Sequence, residues 1–213
     1  MTLTASNITC GYDTSPQRIL HNVSITLTPG RIVGLTGPSG SGKTTLARIL
    51  AGLHIPDSGT VTCDGQPIIT RRGRMSGTIG LLHQSPRAAT NPRLTLGQII
   101  SEPLRSGPHH TVIELAQRVG LTADLLDRTP GQVSDGQLQR ACLARALAAR
   151  PAYLLCDEAT AMLDPATTAT LTHVLSTYAN TGAGLLAISH DQALLDAWAD
   201  TRVDITDLHP HPV

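Results

Sequence analysis

Four continuous apolar runs constrain the fold of this chain more than any other feature: Ile32–Leu35, Ile79–Leu82, Tyr153–Cys156 and Leu185–Ile188. A strand with one face in water alternates apolar and polar residues, whereas a strand covered on both faces is apolar throughout. These runs therefore predict strands of a mostly parallel sheet, the centre of an α/β fold. Each run is followed at once by residues able to do chemistry. The first leads to Gly37, the second to His83-Gln84, the third to Asp157-Glu158 and the fourth to Ser189-His190. In open α/β sheets ligands bind beyond the carboxyl ends of the strands, so four separated segments are expected to converge on one ligand.

The first segment says which ligand. Gly37-Pro38-Ser39-Gly40-Ser41-Gly42-Lys43-Thr44-Thr45 has the G-x-x-x-x-G-K-[ST] spacing, and it lies between an apolar run and the helix-like Leu46-Ala47-Arg48-Ile49-Leu50-Ala51. Strand, glycine-rich turn and helix is the context that makes such a match a phosphate site rather than a connecting turn. Glycines let successive N–H groups point inward at anionic oxygens, and the helix start adds unsatisfied N–H groups and a positive dipole end. Lys43 is expected to reach the β- and γ-phosphates, and the Thr44 hydroxyl to ligate Mg²⁺. Asp157, at the end of a buried run, can hold the Mg²⁺ shell opposite Thr44. Glu158 would point to the other side of the chain, where it can polarise an attacking water.

Bulk composition excludes other classes. Lys plus Arg number 16 and Asp plus Glu number 16, so net charge makes no case for nucleic acid as a partner. No apolar run approaches the roughly 18 residues that span a bilayer, and the amino end lacks the regions of a signal peptide. Cys10, Cys63, Cys142 and Cys156 are scattered without metal-ligand spacing, which predicts buried or semi-buried reduced thiols in a cytoplasmic protein. With no Phe in the chain, the core must be built mainly from Leu, Ile, Val and Ala.

In chain order, residues 3–10 and 19–27 read as strands, and Thr60–Cys63 with Pro67–Ile69 reads as a hairpin around Asp64-Gly65. Tyr12 occupies a Gly-Tyr-Asp turn, and its ring is either solvated or stacked on a base. Arg71-Arg72-Gly73-Arg74 reads as a solvated loop. Leu96–Arg105, Thr111–Val119 and Ala123–Leu126 fit helical spacing, and Ser134 is placed to cap a helix running through Gln137 to Ala149. Residues 86–135 thus read as a helical lobe inserted into the sheet domain. The stretch from Asp200 onward reads as a polar tail.

With Val133-Ser134-Asp135-Gly136-Gln137 the chain resembles the ATP-binding subunits of ABC transporters, whose signature is usually Leu-Ser-Gly-Gly-Gln. The other matches follow in order: the P-loop, Gln84 as the Q-loop glutamine, Asp157-Glu158 as Walker B, Leu163-Asp164 as the D-loop and His190 as the switch histidine. Tyr12 matches the family's adenine-stacking aromatic. The resemblance covers residues 3 to 200 and implies one ABC ATPase domain over 1–213. Its RecA-like core with an antiparallel β subdomain would occupy 1–85 and 136–213, and the helical subdomain 86–135.

The resemblance also implies a mechanism. Two subunits meet head to tail, each ATP lying between one P-loop and the partner's signature, so Ser134, Gly136 and Gln137 would engage the partner's nucleotide, with Asp164 nearby. Glu158 would be the general base, Gln84 would contact Mg²⁺ and water, and His190 would hold the γ-phosphate, with Lys43 on the transferring phosphates. Two departures are visible: Asp135 stands where the family usually has glycine, and Ala161-Met162 replaces the common Ser-Ala before the D-loop.

A narrower likeness lies in Gln84 to Arg93, in Thr95-Leu96-Gly97 with Glu102-Pro103-Leu104, and in Gly136 to Leu147. These resemble the ATPases of dipeptide, oligopeptide and nickel importers, especially the second ATPase of nickel or metallophore systems. The likeness implies a peripheral subunit on the cytoplasmic face of the membrane, with residues 85–95 touching a permease and a binding protein supplying the cargo. A heterodimer with a second ATPase is the leading expectation, a homodimer the other. The competing readings are a soluble ABC ATPase outside transport and a non-hydrolytic ATP-binding regulator. The first usually needs two modules or a coiled-coil insertion, and the second would have lost Glu158 or His190.

Overall fold

The computed structural model describes residues 2–11, 18–70, 73–74, 78–104, 109–161 and 163–209. Its elements begin with β1 (Leu3–Gly11), β2 (Arg18–Leu27), β3 (Ile32–Thr36), α1 (Lys43–Leu50) and β4 (Ser58–Cys63). The short β5 (Gln66–Pro67), β6 (Ile69–Thr70) and β7 (Gly73–Arg74) precede β8 (Ile79–Leu82). Then come α2 (Leu96–Ser101), α3 (His109–Arg118), α4 (Asp135–Ala148), β9 (Tyr153–Asp157), α5 (Pro165–Asn180), β10 (Gly184–Ile188), α6 (Gln192–Trp198) and β11 (Thr201–Asp204).

The four apolar runs are β3, β8, β9 and β10, joined in a parallel sheet of order β11-β3-β10-β9-β8. Every residue of β3, β9 and β10 is buried, as continuous apolar runs require. The period of two then sorts their side chains. Ile32, Leu154, Cys156, Leu185 and Ala187 face a core shared with α2 to α6. Val33, Leu35, Tyr153, Leu155, Leu186 and Ile188 face a second core with α1 and the antiparallel sheet β2-β1-β4-β5. Each fully buried Leu or Ile contributes about 1.5–3 kcal/mol, so many mid-sized side chains can serve in place of aromatics.

The sheet contains one strand more than the apolar runs predict. Residues 201–204, read from sequence as polar tail, form β11 along the outer side of β3. Its side chains are exposed or half-buried, so no apolar signal marks it. Carboxylates fasten it instead. Asp200 accepts from Ile32 N at 2.8 Å and from Arg31 at 2.9 Å, and Asp204 accepts from the Thr36 hydroxyl at 3.2 Å.

Smaller differences have local causes. The hairpin turns on Asp64 and Gly65, both at positive φ; Gln66 and Pro67 pair with β4, and Ile68 N still donates to Val61 O at 3.1 Å. Ile69–Thr70 pairs instead with Gly73–Arg74, part of the expected basic loop; Arg71 and Arg72 lie outside the described residues. Helix α2 ends at Ser101 and gives way to a 3₁₀ turn over Glu102–Leu104, where Pro103 cannot continue an α-helical ladder. Residues 123–125 form a 3₁₀ turn rather than an α-helix. All four cysteines are buried and free.

Candidate phosphate-binding and hydrolysis site

The turn after β3 has the shape its glycines allow. Gly37, Gly40 and Gly42 all have positive φ, at 138°, 77° and 97°. A Cβ on Gly42 would lie 2.6 Å from Leu20 Cδ2, whereas one on Gly40 would meet nothing within 4 Å. Gly42 is the N-cap of α1 and offers no side-chain cap, so no capping side chain covers the start of the helix. Buried Lys43 spans the turn, its Nζ donating to Gly37 O at 2.8 Å and Pro38 O at 2.7 Å. Ser41 Oγ is buried without a hydrogen-bond partner among the described residues. An unpaired hydroxyl, a buried ammonium and uncapped amides form a donor set suited to phosphate oxygens. Gly40, Gly42 and Lys43 border a cleft of about 340 Å³ that is also lined by Thr44, Gln84, Glu158 and His190.

Thr44 donates to Asp157 Oδ1 at 3.0 Å. Asp157 is buried, and desolvation raises its pKa; the Thr44 hydrogen bond opposes this and the Glu158 carboxylate adds to it. A carboxylate held in this way gains by meeting a cation. A hydroxyl and a carboxylate side by side at the loop are a donor set that fits Mg²⁺.

Glu158 has φ 50°, a left-handed conformation uncommon for a non-glycine residue, and its N–H donates to Ile188 O at 3.1 Å. The turn carries its side chain away from Asp157 toward the second and fourth strand ends. There Oε2 accepts from Gln84 Nε2 at 2.7 Å, and Oε1 lies 2.8 Å from His190 Nε2. The carboxylate is thus bracketed by two polar side chains at the mouth of the cleft.

Ser134, Gly136, Gln137 and Asp164 do not line this cleft. Ser134 Oγ accepts from Gln137 N at 3.2 Å while Gln137 Oε1 accepts from Ser134 N at 2.9 Å, a reciprocal cap on α4. Asp164 caps α5 through Thr167, which holds its carboxyl below the usual range. Tyr12 and Met162 lie outside the described residues.

Two side chains connect these groups in ways that motif spacing does not reveal. Gln139, 2% exposed, donates from Nε2 to Ala159 O at 3.1 Å and His83 O at 3.4 Å. It ties α4 to the residues flanking Glu158 and Gln84. Arg87 reaches Asp135 and two carbonyls just before α4. A polar residue inside an otherwise apolar helix face is the only sequence trace of the first, and the second leaves none.

The family model described as ABC transporter matches residues 20–161, more than half of the chain. The chain is 38% identical over 203 residues to the nickel import ATP-binding protein NikE of Escherichia coli strain K12, spanning 90% of this chain and 75% of that one. It is likewise 38% identical over 204 residues to the protein of the same name from Rhodospirillum rubrum, covering 89% and 72%. Among solved structures, a dimeric ATP-binding cassette in a post-hydrolysis state bound to ADP and Pi superposes with a TM-score of 0.87. The identity there is 25%, over 99% of this chain and 97% of that one.

Proposed function

The chain belongs to the ABC transporter family and is an ATPase of that family, and we propose that it energises nickel import through separate membrane subunits. The cargo proposed, free nickel or a nickel complex, follows the nickel import of its relatives at 38% identity. Among the described residues no helix is long and apolar enough to cross a membrane, so the path for the cargo would belong to a permease. Residues 85–95 are the proposed contact with it, on the cytoplasmic face. The chain divides in this reading into the core at 1–85 and 136–213 and a helical subdomain at 86–135.

In the proposed reaction Gly37 to Thr45 bind the triphosphate, with Lys43 on its β- and γ-oxygens. Tyr12 would stack on the adenine. Thr44 and Asp157 would hold Mg²⁺, with Gln84 completing the shell. That ion, held by these residues, would supply positive charge to offset the charge of the transferring phosphates. Glu158 takes the proton of the attacking water, and Gln84 and His190, which bracket its carboxylate, position that water and the γ-phosphate. Ser134, Gly136 and Gln137 would complete the site of a second cassette, with Asp164 beside them. A different ATPase is the favoured partner, and a binding protein would deliver the cargo.

The observation that carries the hydrolytic reading is the Glu158 carboxylate held between Gln84 and His190 at the mouth of the phosphate cleft. Reconstitution of the complex with its permease and binding protein tests the whole. We expect ATP-dependent uptake of labelled nickel that excess unlabelled dipeptide does not displace. Uptake of labelled dipeptide in place of nickel would overturn the cargo assignment and leave the ATPase intact.

A further inference from the structure

Asp135 opens the first turn of α4, between Ser134 and Gly136, both among the residues proposed to meet the partner's nucleotide. A carboxylate there interacts well with its own helix dipole but opposes any phosphate approaching the same N-terminus. It does not stand alone. Arg87 Nε donates to Asp135 Oδ1 at 2.7 Å, and Nη2 lies 2.7 Å from the same oxygen. Its Nη1 donates to Pro130 O at 2.9 Å and its Nη2 to Val133 O at 3.3 Å. One guanidinium therefore grips the carboxylate and two carbonyls of the loop leading into Ser134.

Both side chains are open to solvent, 49% for Arg87 and 63% for Asp135. Ion pairs this exposed add little to stability, so a purely structural role explains the arrangement poorly. Its effect on local charge is larger, because it offsets a negative charge beside a turn proposed to meet a polyanion. Arg87 also belongs to the segment that begins at Gln84, whose amide holds Glu158. One short loop thus reaches the proposed base at one end and the signature turn at the other.

We propose that Arg87 is a positioning residue that neutralises Asp135 and so lets this chain's signature turn engage the partner cassette's triphosphate. This inference rests on the proposed pairing of two cassettes. The test is ATP turnover by the complete transporter complex carrying wild-type chain, R87Q, D135N or both. Gln at position 87 can still donate to a carbonyl, which keeps the loop supported. R87Q is expected to raise the ATP concentration for half-maximal turnover by about fivefold at low salt. Added KCl should shrink that deficit, because exposed charges are screened over about 8–10 Å near physiological ionic strength. In the D135N background the same change should cost less than about twofold. An equal loss in both backgrounds, insensitive to salt, would overturn the proposal and leave Arg87 as a brace for Pro130 and Val133 or as part of the permease contact. No effect in either background would overturn it as well. Failure of the pairing itself reads differently: wild-type complex would then show no ATP-driven association of cassettes.

Discussion

Replacing Glu158 by Gln tests the proposed chemistry with little change of shape. The carboxylate accepts from Gln84 at one oxygen and from His190 at the other, and its side chain is only 15% exposed. An amide keeps one acceptor and turns an N–H toward the second donor, so one of the two contacts is lost. Hydrogen bonds to charged groups contribute about 1.5–3 kcal/mol. Gln84 and His190 are themselves exposed and can pair with water, so the net loss should be nearer 1 kcal/mol, or about 2–4 °C in Tm for a chain of this size. Removal of a general base costs far more in rate, about 10²–10⁴-fold. Lys43, Ser41 and the first-turn amides of α1 are unaffected, so ATP affinity should persist and the closed cassette pair should accumulate. Steady-state phosphate release and equilibrium nucleotide binding, measured on the same preparation, separate the two effects. Turnover within tenfold of wild type would refute Glu158 as the base, and loss of ATP binding would make it a structural residue of the cleft.

Two further outcomes probe the scaffold. Asp200 is held below the usual carboxylate range first by the hydrogen bond from Ile32 N and then by Arg31. A depressed folded pKa contributes stability above the unfolded value of about 3.9 and loses it as pH falls through the folded one. D200N should therefore melt below wild type at pH 7, with the gap closing in acid; a gap independent of pH across thermal melts would contradict this. Within the phosphate loop, G40A should cost about 1–2 kcal/mol for its positive φ alone. G42A should cost about 2–5 kcal/mol because its methyl would also meet Leu20 and Ile19. Equal losses in urea unfolding would show that Leu20 and Ile19 yield freely.

What could be read from the sequence follows from how locally each feature is specified. Strands β3, β9 and β10 announce themselves because two-sided burial forbids polar residues, half-buried β8 because its run is apolar as well, and the phosphate loop because its spacing and its glycines are local demands. Ser134 likewise caps α4 as expected, and Gln137 answers it from the third position of the helix. Strand β11 was not legible, since exposed positions tolerate Thr201 and Arg202 and its attachment runs through distant carboxylates. In the site, the sequence placed Gln84, Glu158 and His190 at strand ends but carried no sign that one carboxylate would join the other two side chains. Arg87 was legible only as part of a permease contact; its grip on Asp135 depends on how a loop and a helix start 48 residues apart come together.

The outer strand has a further consequence for the cleft. Because β11 flanks β3, the strand that launches the phosphate loop is an interior strand rather than the sheet's margin. The chain just beyond β11 also presses on the loop: a Cβ on Gly37 would come within 2.6 Å of Ile205 Cγ2 and 3.3 Å of Asp204 Oδ1. The contour of the nucleotide cradle is thus set partly from 168 residues downstream, the separation between Thr36 and its partner Asp204. Residues 200–205 act as a backstop for the loop, and their packing can tune the grip on phosphate proposed for it.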